Sequence, residues 1–191
     1  MIAHNAPQQT IQAFNPDAHQ KAYPEFYAQP YNPDAKGFYF TTAEEFETLS
    51  SRCVDAFGLP VEEFEIQFID GTSEEADLFR ACGVNQLNLG DFMALLEDAQ
   101  NHELPALFYL CDLGYTMEQA IYRAGDASIY HGNLTDASED LFDECYLHQI
   151  PEHLHAYIDY DRFANDCRLS GDMVEFEFGG ETYTITNASG L

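Results

Sequence analysis

Positive charge is what this sequence has least of. Seven lysines and arginines stand against 34 aspartates and glutamates, a formal net charge of −27 over 191 residues. So few cations exclude a surface built to hold nucleic acid or an anionic membrane, both of which need a basic footprint. Paired cysteines are also missing. The five present, Cys53, Cys82, Cys111, Cys145 and Cys167, are odd in number, far apart and without a C-x-x-C. That excludes a zinc knuckle and a disulfide framework, and they read as buried thiols of a reducing cytoplasm. No apolar run approaches a membrane span. The opening MIAHNAPQQTIQAFNPDAHQ lacks the basic and apolar regions of a signal peptide, so the expected location is the cytosol. No G-x-S-x-G, Walker loop or G-x-G-x-x-G occurs. Tryptophan is absent as well, which excludes nothing.

What is present is a foldable chain with a strong negative charge. Hydrophobic residues make up 46% and aromatics 14%, too many for a disordered acidic polymer. A chain of this size buries roughly 70% of its unfolded surface, so it needs no staple. It suffices for one large domain or two to three small modules. Double-stranded DNA carries one charge per ~1.7 Å, so the net charge equals that of roughly 46 Å of duplex. A compact globule of this length is about 42 Å across. The protein therefore matches DNA in charge per unit length. Salt adaptation and simple solubility are the competing readings of the same number.

The pattern divides into a tail and three segments. Residues 1–23 read as a flexible tail, with Asp17 balanced by Lys21. Residues 24–85 read as an N-terminal α+β module. EFYAQPYNPDAKGFYF is a strand–turn–strand, with Pro30 pointing to an edge strand. Thr42 and Glu45 form a capping box, and Phe46, Leu49, Cys53 and Phe57 share one helical face that Gly58 and Pro60 stop. EEFEIQFID alternates as a half-buried strand.

Residues 86–127 read as a helical middle module built from LGDFMALLEDAQ, LPALFYLCDLG and TMEQAIYRAG. Residues 128–191 read as a C-terminal α+β module. It has a short strand ASIYHG, a helix TDASEDLFDECYL, a further helix opened by Pro151, and a hairpin turned at Gly179-Gly180. The three segments hold 13 acids against 3 bases, 7 against 1, and 13 against 2. The excess is thus spread along the folded body, which excludes an acidic tail.

YIDYDRFANDCRLSGD (157–172) is the densest candidate for chemistry. Counted as a calcium loop from Asp159, its sixth position is Ala164 and its twelfth Ser170, where Gly and Glu are needed. As a carboxylate pair, Asp159 and Asp161 point apart on a helix. The histidines of HQIPEHLH, His148, His153 and His155, lack an H-E-x-x-H spacing. Tyr157, Ile158, Tyr160, Phe163 and Leu169 read as packing residues, with Arg162 and Arg168 as structural partners of the acids. No catalytic, cofactor or metal site is expected.

The acids themselves are the candidate site. In SEDLFDECYL, Leu141, Phe142, Cys145 and Tyr146 make an apolar stripe, and Glu139, Asp140, Asp143 and Glu144 fill the remaining arc. Like charges three or four apart on a helix cost a few tenths of a kcal/mol per pair, and no local cation offsets it. The arrangement recurs at Glu44, Glu45 and Glu47, at Glu62, Glu63 and Glu65, at Glu74, Glu75 and Asp77, and at Glu97 and Asp98. Asp159, Asp161 and Asp166 complete the candidate set. A solvated face and a partner-binding face both fit this pattern.

IPEHLHAYIDYDRFANDCRLSGD resembles the C-terminal segment of ArdA-type antirestriction proteins. The shared features are the Pro-x-x-Leu entry, Tyr157-Ile158-Asp159-Tyr160, Asp166 and Leu169-Ser170-Gly171. KGFYFTTAEEFETLSSR and EEFEIQFID are similar to the family's N-terminal module, and LGDFMALLEDAQ to its middle helices, so the resemblance spans about 24–186. The tail and the proline-containing FYAQPY depart from it.

The resemblance implies an elongated α+β protein of three small modules that imitates bent B-form DNA. It implies a homodimer joined through the C-terminal region, with no enzymatic activity and no cofactor. The implied partner is the DNA-binding groove of a type I restriction–modification enzyme, with neither nucleic acid nor membrane bound. The alternatives are a mimic aimed at another DNA-binding system, such as a CRISPR effector, and an acidic metal-binding protein or enzyme.

Overall fold

A computed structural model describes residues 24–191, so the tail expected over 1–23 lies outside the described residues. Alternating aromatics build the first sheet. β1 (Glu25–Pro30), β2 (Phe38–Phe40) and β3 (Phe64–Asp70) pair antiparallel in the order β2-β1-β3. Phe26, Ala28, Phe40, Phe64 and Ile66 point to the core while the intervening residues face out, the period-two pattern of a strand.

The strand carrying Pro30 is central, which corrects the edge expectation. The proline is tolerated because β2 begins opposite Ala28 and reaches no further along β1. Tyr31 donates its N–H to the Glu63 carbonyl of β3. Ladder bonds alternate sides, so the Pro30 nitrogen faces the side where β2 has already ended.

α1 (Ala43–Ser50) is capped by Thr42, whose hydroxyl accepts from the Glu45 N–H. It stops well before Cys53 and Phe57, so the helical face expected across 46–57 is broken, and Phe57 is 77% exposed. The cause is Asp55, whose carboxylate accepts the N–H groups of Phe57 and Leu59 at 2.9 Å and ties the chain into a loop instead. α2 (Ser73–Ala81) opens with a complete capping box between Thr72 and Glu75. α3 (Leu89–Asp98), α4 (Leu104–Asp112) and α5 (Met117–Arg123) follow as expected.

The second sheet is made by β4 (Ile129–His131), β5 (Val174–Phe178) and β6 (Glu181–Ile185), antiparallel in the order β4-β6-β5. Gly179 and Gly180 turn the hairpin with φ of +63° and +84°, the left-handed pair a two-residue turn requires. Between β4 and β5 lie α6 (Leu134–Cys145) and α7 (Tyr160–Ser170). The helix expected from Pro151 is two pieces. A 3-10 stretch, Glu152–Tyr157, gives way to extended backbone at Ile158, and Asp159 caps a new helix.

The fold is α+β. One buried cluster runs from Phe26 through Leu78, Phe92 and Leu110 to Phe178, so the first sheet, the middle helices and β5 share a core. A smaller one, Leu134, Ala164, Cys167 and Met173, lies between α6, α7 and β5.

Candidate functional site

Of the acids singled out in the sequence, most stand in solvent. Glu44, Glu45 and Glu47 on α1, Glu62, Glu63 and Glu65 around β3, and Glu97 and Asp98 on α3 are exposed. So are Glu139, Asp140, Asp143 and Glu144 on α6 and Asp159, Asp161 and Asp166 at α7. Glu74, Glu75 and Asp77 are half-buried and engaged within the fold. Glu75 closes the α2 capping box, and Asp77 pairs with Arg80 at 2.8 Å and accepts the Gly179 N–H.

Cations do little to neutralise this surface. Among the described residues the ion pairs are Asp77–Arg80 and Glu181–His131, the latter at 3.6 Å. Arg162 and Arg168 form none, so the expected pairing with the acids of α7 does not occur. The charge therefore projects outward rather than closing into local dipoles.

Neutral groups orient several carboxylates instead. The backbone N–H and hydroxyl of Thr41 meet Glu45 at 2.8 and 3.0 Å and hold its carboxyl below the usual range. Asp159 accepts the Arg162 N–H at 3.0 Å, so this residue caps α7. The hydroxyls of Ser170 and Ser189 hold Asp172 below its ordinary value. The Tyr160 hydroxyl donates to Asp143 at 2.6 Å, which pushes the phenol up to about 12. Removal from water and a hydrogen bond to Asp140 push Tyr130 up as well. Such donors fix a carboxylate in place without cancelling its charge.

Other expectations fall to the geometry. Cys145 is exposed and Cys53 and Cys82 are only partly covered, so the five thiols are not uniformly buried. Cys145 lies outside the packed face of α6, which uses Leu134, Ala137 and Ser138 with Leu141 beside them, while the Tyr146 ring packs on Phe142 and Phe163 with centroids 5.5 and 6.1 Å away. Tyr157 and Leu169 are 83% and 77% exposed rather than packed. His155 Nε2 lies 2.9 Å from the Ile150 carbonyl oxygen and so serves local structure. Among the described residues no cluster of His, Cys, Asp and Glu could hold a metal ion.

The structure also adds acids that clustering did not reveal. Asp91, Glu103 and Glu118 join the already noted Asp98 around an open groove of about 530 Å³ between α3, α4 and α5, floored by Leu95 and Met117. Asp91, Glu103 and Glu118 have no acidic neighbour in the chain, so no cluster marks them.

The surface is a display of oriented, unneutralised carboxylates on a chain whose 157–171 segment resembles one family. The family model described as antirestriction protein (ArdA) matches residues 3–182. The chain belongs to the ArdA antirestriction family. The match begins well ahead of residue 24, so it extends past the resemblance over 24–186 into the amino-terminal segment. No curated protein matches the chain. Membership in the ArdA family makes this an antirestriction protein, and restriction enzymes its general partners. Among the described residues no helix is long and apolar enough to cross a membrane.

Proposed function

We propose that the exposed carboxylates of this ArdA-family chain imitate the phosphates of B-form DNA and occupy the DNA-binding groove of a type I restriction–modification enzyme. The observation that carries this reading is the near-absence of ion pairs around acids exposed on all three segments, 24–85, 86–127 and 128–191. Basic side chains lining a DNA groove meet phosphate through charge, and phosphate contacts carry no sequence information. An ordered set of carboxylates satisfies the same side chains. Fixing part of the set in advance, as Thr41, Tyr160 and the α7 N-terminus do, lowers the ordering cost of binding.

In this reading the protein acts in the cytoplasm by stoichiometric occupancy, without turnover or cofactor. The three segments form an elongated charged body. A second copy joins through the C-terminal region, where Tyr146, Leu154, Tyr157 and Leu169 leave apolar surface uncovered.

The deciding experiment is competition with DNA for a type I methyltransferase core at rising salt. Displacement should be sequence-blind and should weaken steeply as salt increases. Inhibition that ignored salt, or that required Mg²⁺ or turnover, would remove the DNA-mimic reading. Activity confined to a CRISPR effector would redirect it to a different DNA-binding target.

A further inference from the structure

Cys82, at the C-terminal end of α2, and Cys111, in the last turn of α4, bring their sulfurs to 3.3 Å across the α2–α4 interface. We propose that this dithiol is an oxidation site that closes to a disulfide under peroxide and clamps α2 to α4.

The geometry favours closure. A disulfide needs an S–S distance of 2.03–2.05 Å, so the two sulfurs, now 3.3 Å apart, must approach by about 1.3 Å. Cys82 is the C-cap residue of α2, and Gly83 behind it has a φ of +56°, so this side of the pair lies beyond the regular helix. Cys82 is half-exposed and Cys111 is buried, which lets a molecule as small as peroxide approach from the Cys82 side. The two thiols share one S–H···S hydrogen bond, and Cys82 is the one that solvent reaches. Cys82 is therefore the first to meet peroxide.

Its thiolate attacks one peroxide oxygen and the O–O bond breaks. Cys82 becomes a sulfenic acid, and the departing hydroxide takes up a proton as water. The Cys111 sulfur then attacks the sulfenic sulfur, loses its proton and displaces a second water as the S–S bond forms. The two thiols have given up two electrons and two protons, and peroxide has been reduced to two waters.

The clamp lies where the two sheets are joined. α2 reaches the β5–β6 turn through Asp77 and Gly179, and α4 reaches β5 through Phe108 on Phe178, with ring centroids 5.1 Å apart. Locking α2 to α4 stiffens both supports of the hairpin together.

The test treats the full chain, carrying Cys145→Ser to remove the exposed thiol, with hydrogen peroxide, alkylates it, and maps its peptides. A linked pair containing Cys82 and Cys111, reversed by dithiothreitol, is expected. The thermal midpoint should rise by roughly 5–10 °C. The further variant Cys82→Ser should show neither change. Conversion of either thiol to sulfinate without a linked pair would overturn the site. A linked pair with an unchanged or lowered midpoint would overturn the clamp.

Discussion

Asp77 accepts the backbone N–H of Gly179 at 2.9 Å, joining α2 to a turn that lies 102 residues further along the chain. The same carboxylate holds Arg80 through its other oxygen. An acid that sequence pattern assigns to the outer surface is thus part of the joint between the first sheet's helix and the carboxy-terminal hairpin.

Asp77→Ala should destabilise the protein by about 1.5–3 kcal/mol, the range for a hydrogen bond to a charged group. Asp77→Asn, which keeps an acceptor, should cost less. Urea unfolding of the two variants measures the difference. Equal stability in all three proteins would mean that the contact contributes nothing.

The hairpin turn gives a second expectation. Gly180 has open space where a Cβ would be added, so Gly180→Ala should cost only the left-handed backbone penalty of roughly 1–2 kcal/mol. At Gly179 the new Cβ would also meet Glu74 Cγ at 2.6 Å, which forces that side chain to move. Gly179→Ala should therefore be the more damaging of the two by thermal denaturation.

Tyr160 titrates high, at about 12, chiefly because its hydroxyl donates to Asp143. The folded state favours the protonated phenol, so this contribution is complete below the ordinary tyrosine value of about 10. It is lost as the pH rises from there through about 12. Asp143→Asn removes the charge and should bring the Tyr160 titration, followed by ring-carbon NMR, back toward the ordinary value. A titration unmoved by that substitution would assign the shift to burial.

The α6 face tests the proposed mimicry. Neutralising Glu139, Asp140, Asp143 and Glu144 together should weaken inhibition roughly tenfold, at a few tenths of a kcal/mol per surface charge. It should also flatten the salt dependence. Single neutralisations should change inhibition by less than about twofold, since each supplies only such an increment. A folded quadruple variant with unaltered inhibition takes this face off the binding surface.

Local rules located the elements that local chemistry fixes. Thr42 caps α1, the Phe64-to-Phe68 alternation builds β3, and Gly179-Gly180 turns the hairpin, each within a few residues of chain. The same kind of reading failed at Cys53 and Phe57, where helical spacing was accidental and the Asp55 carboxylate organised a loop. It also failed after Pro151, where Asp159 ended one helical stretch by starting another. The capping box of α2 was written plainly as Thr-Ser-Glu-Glu, but its acids read as charge before they read as caps.

Exposure was the harder question. Cys145, Tyr157 and Leu169 have the apolar character of packing residues, yet α6 and α7 bury Leu134, Ala164 and Cys167 between them instead. Helical period alone leaves the rotation of such a face undecided until its neighbour is in place.

The sequence by itself determined the net charge, its spread over three segments and the shortage of cations, because charge is a sum that no fold can alter. The family is likewise a property of the sequence, matched over residues 3–182. Only the tertiary structure decided which carboxylates face solvent, which is held by Tyr160, and which, like Asp77, are spent inside the fold. It alone brought Cys82 to Cys111. These relations join groups from 17 to 102 residues apart, or set one side chain's burial against another's. Such contacts exist only after the chain has closed on itself, because a local pattern fixes backbone geometry but not the neighbour a side chain will meet.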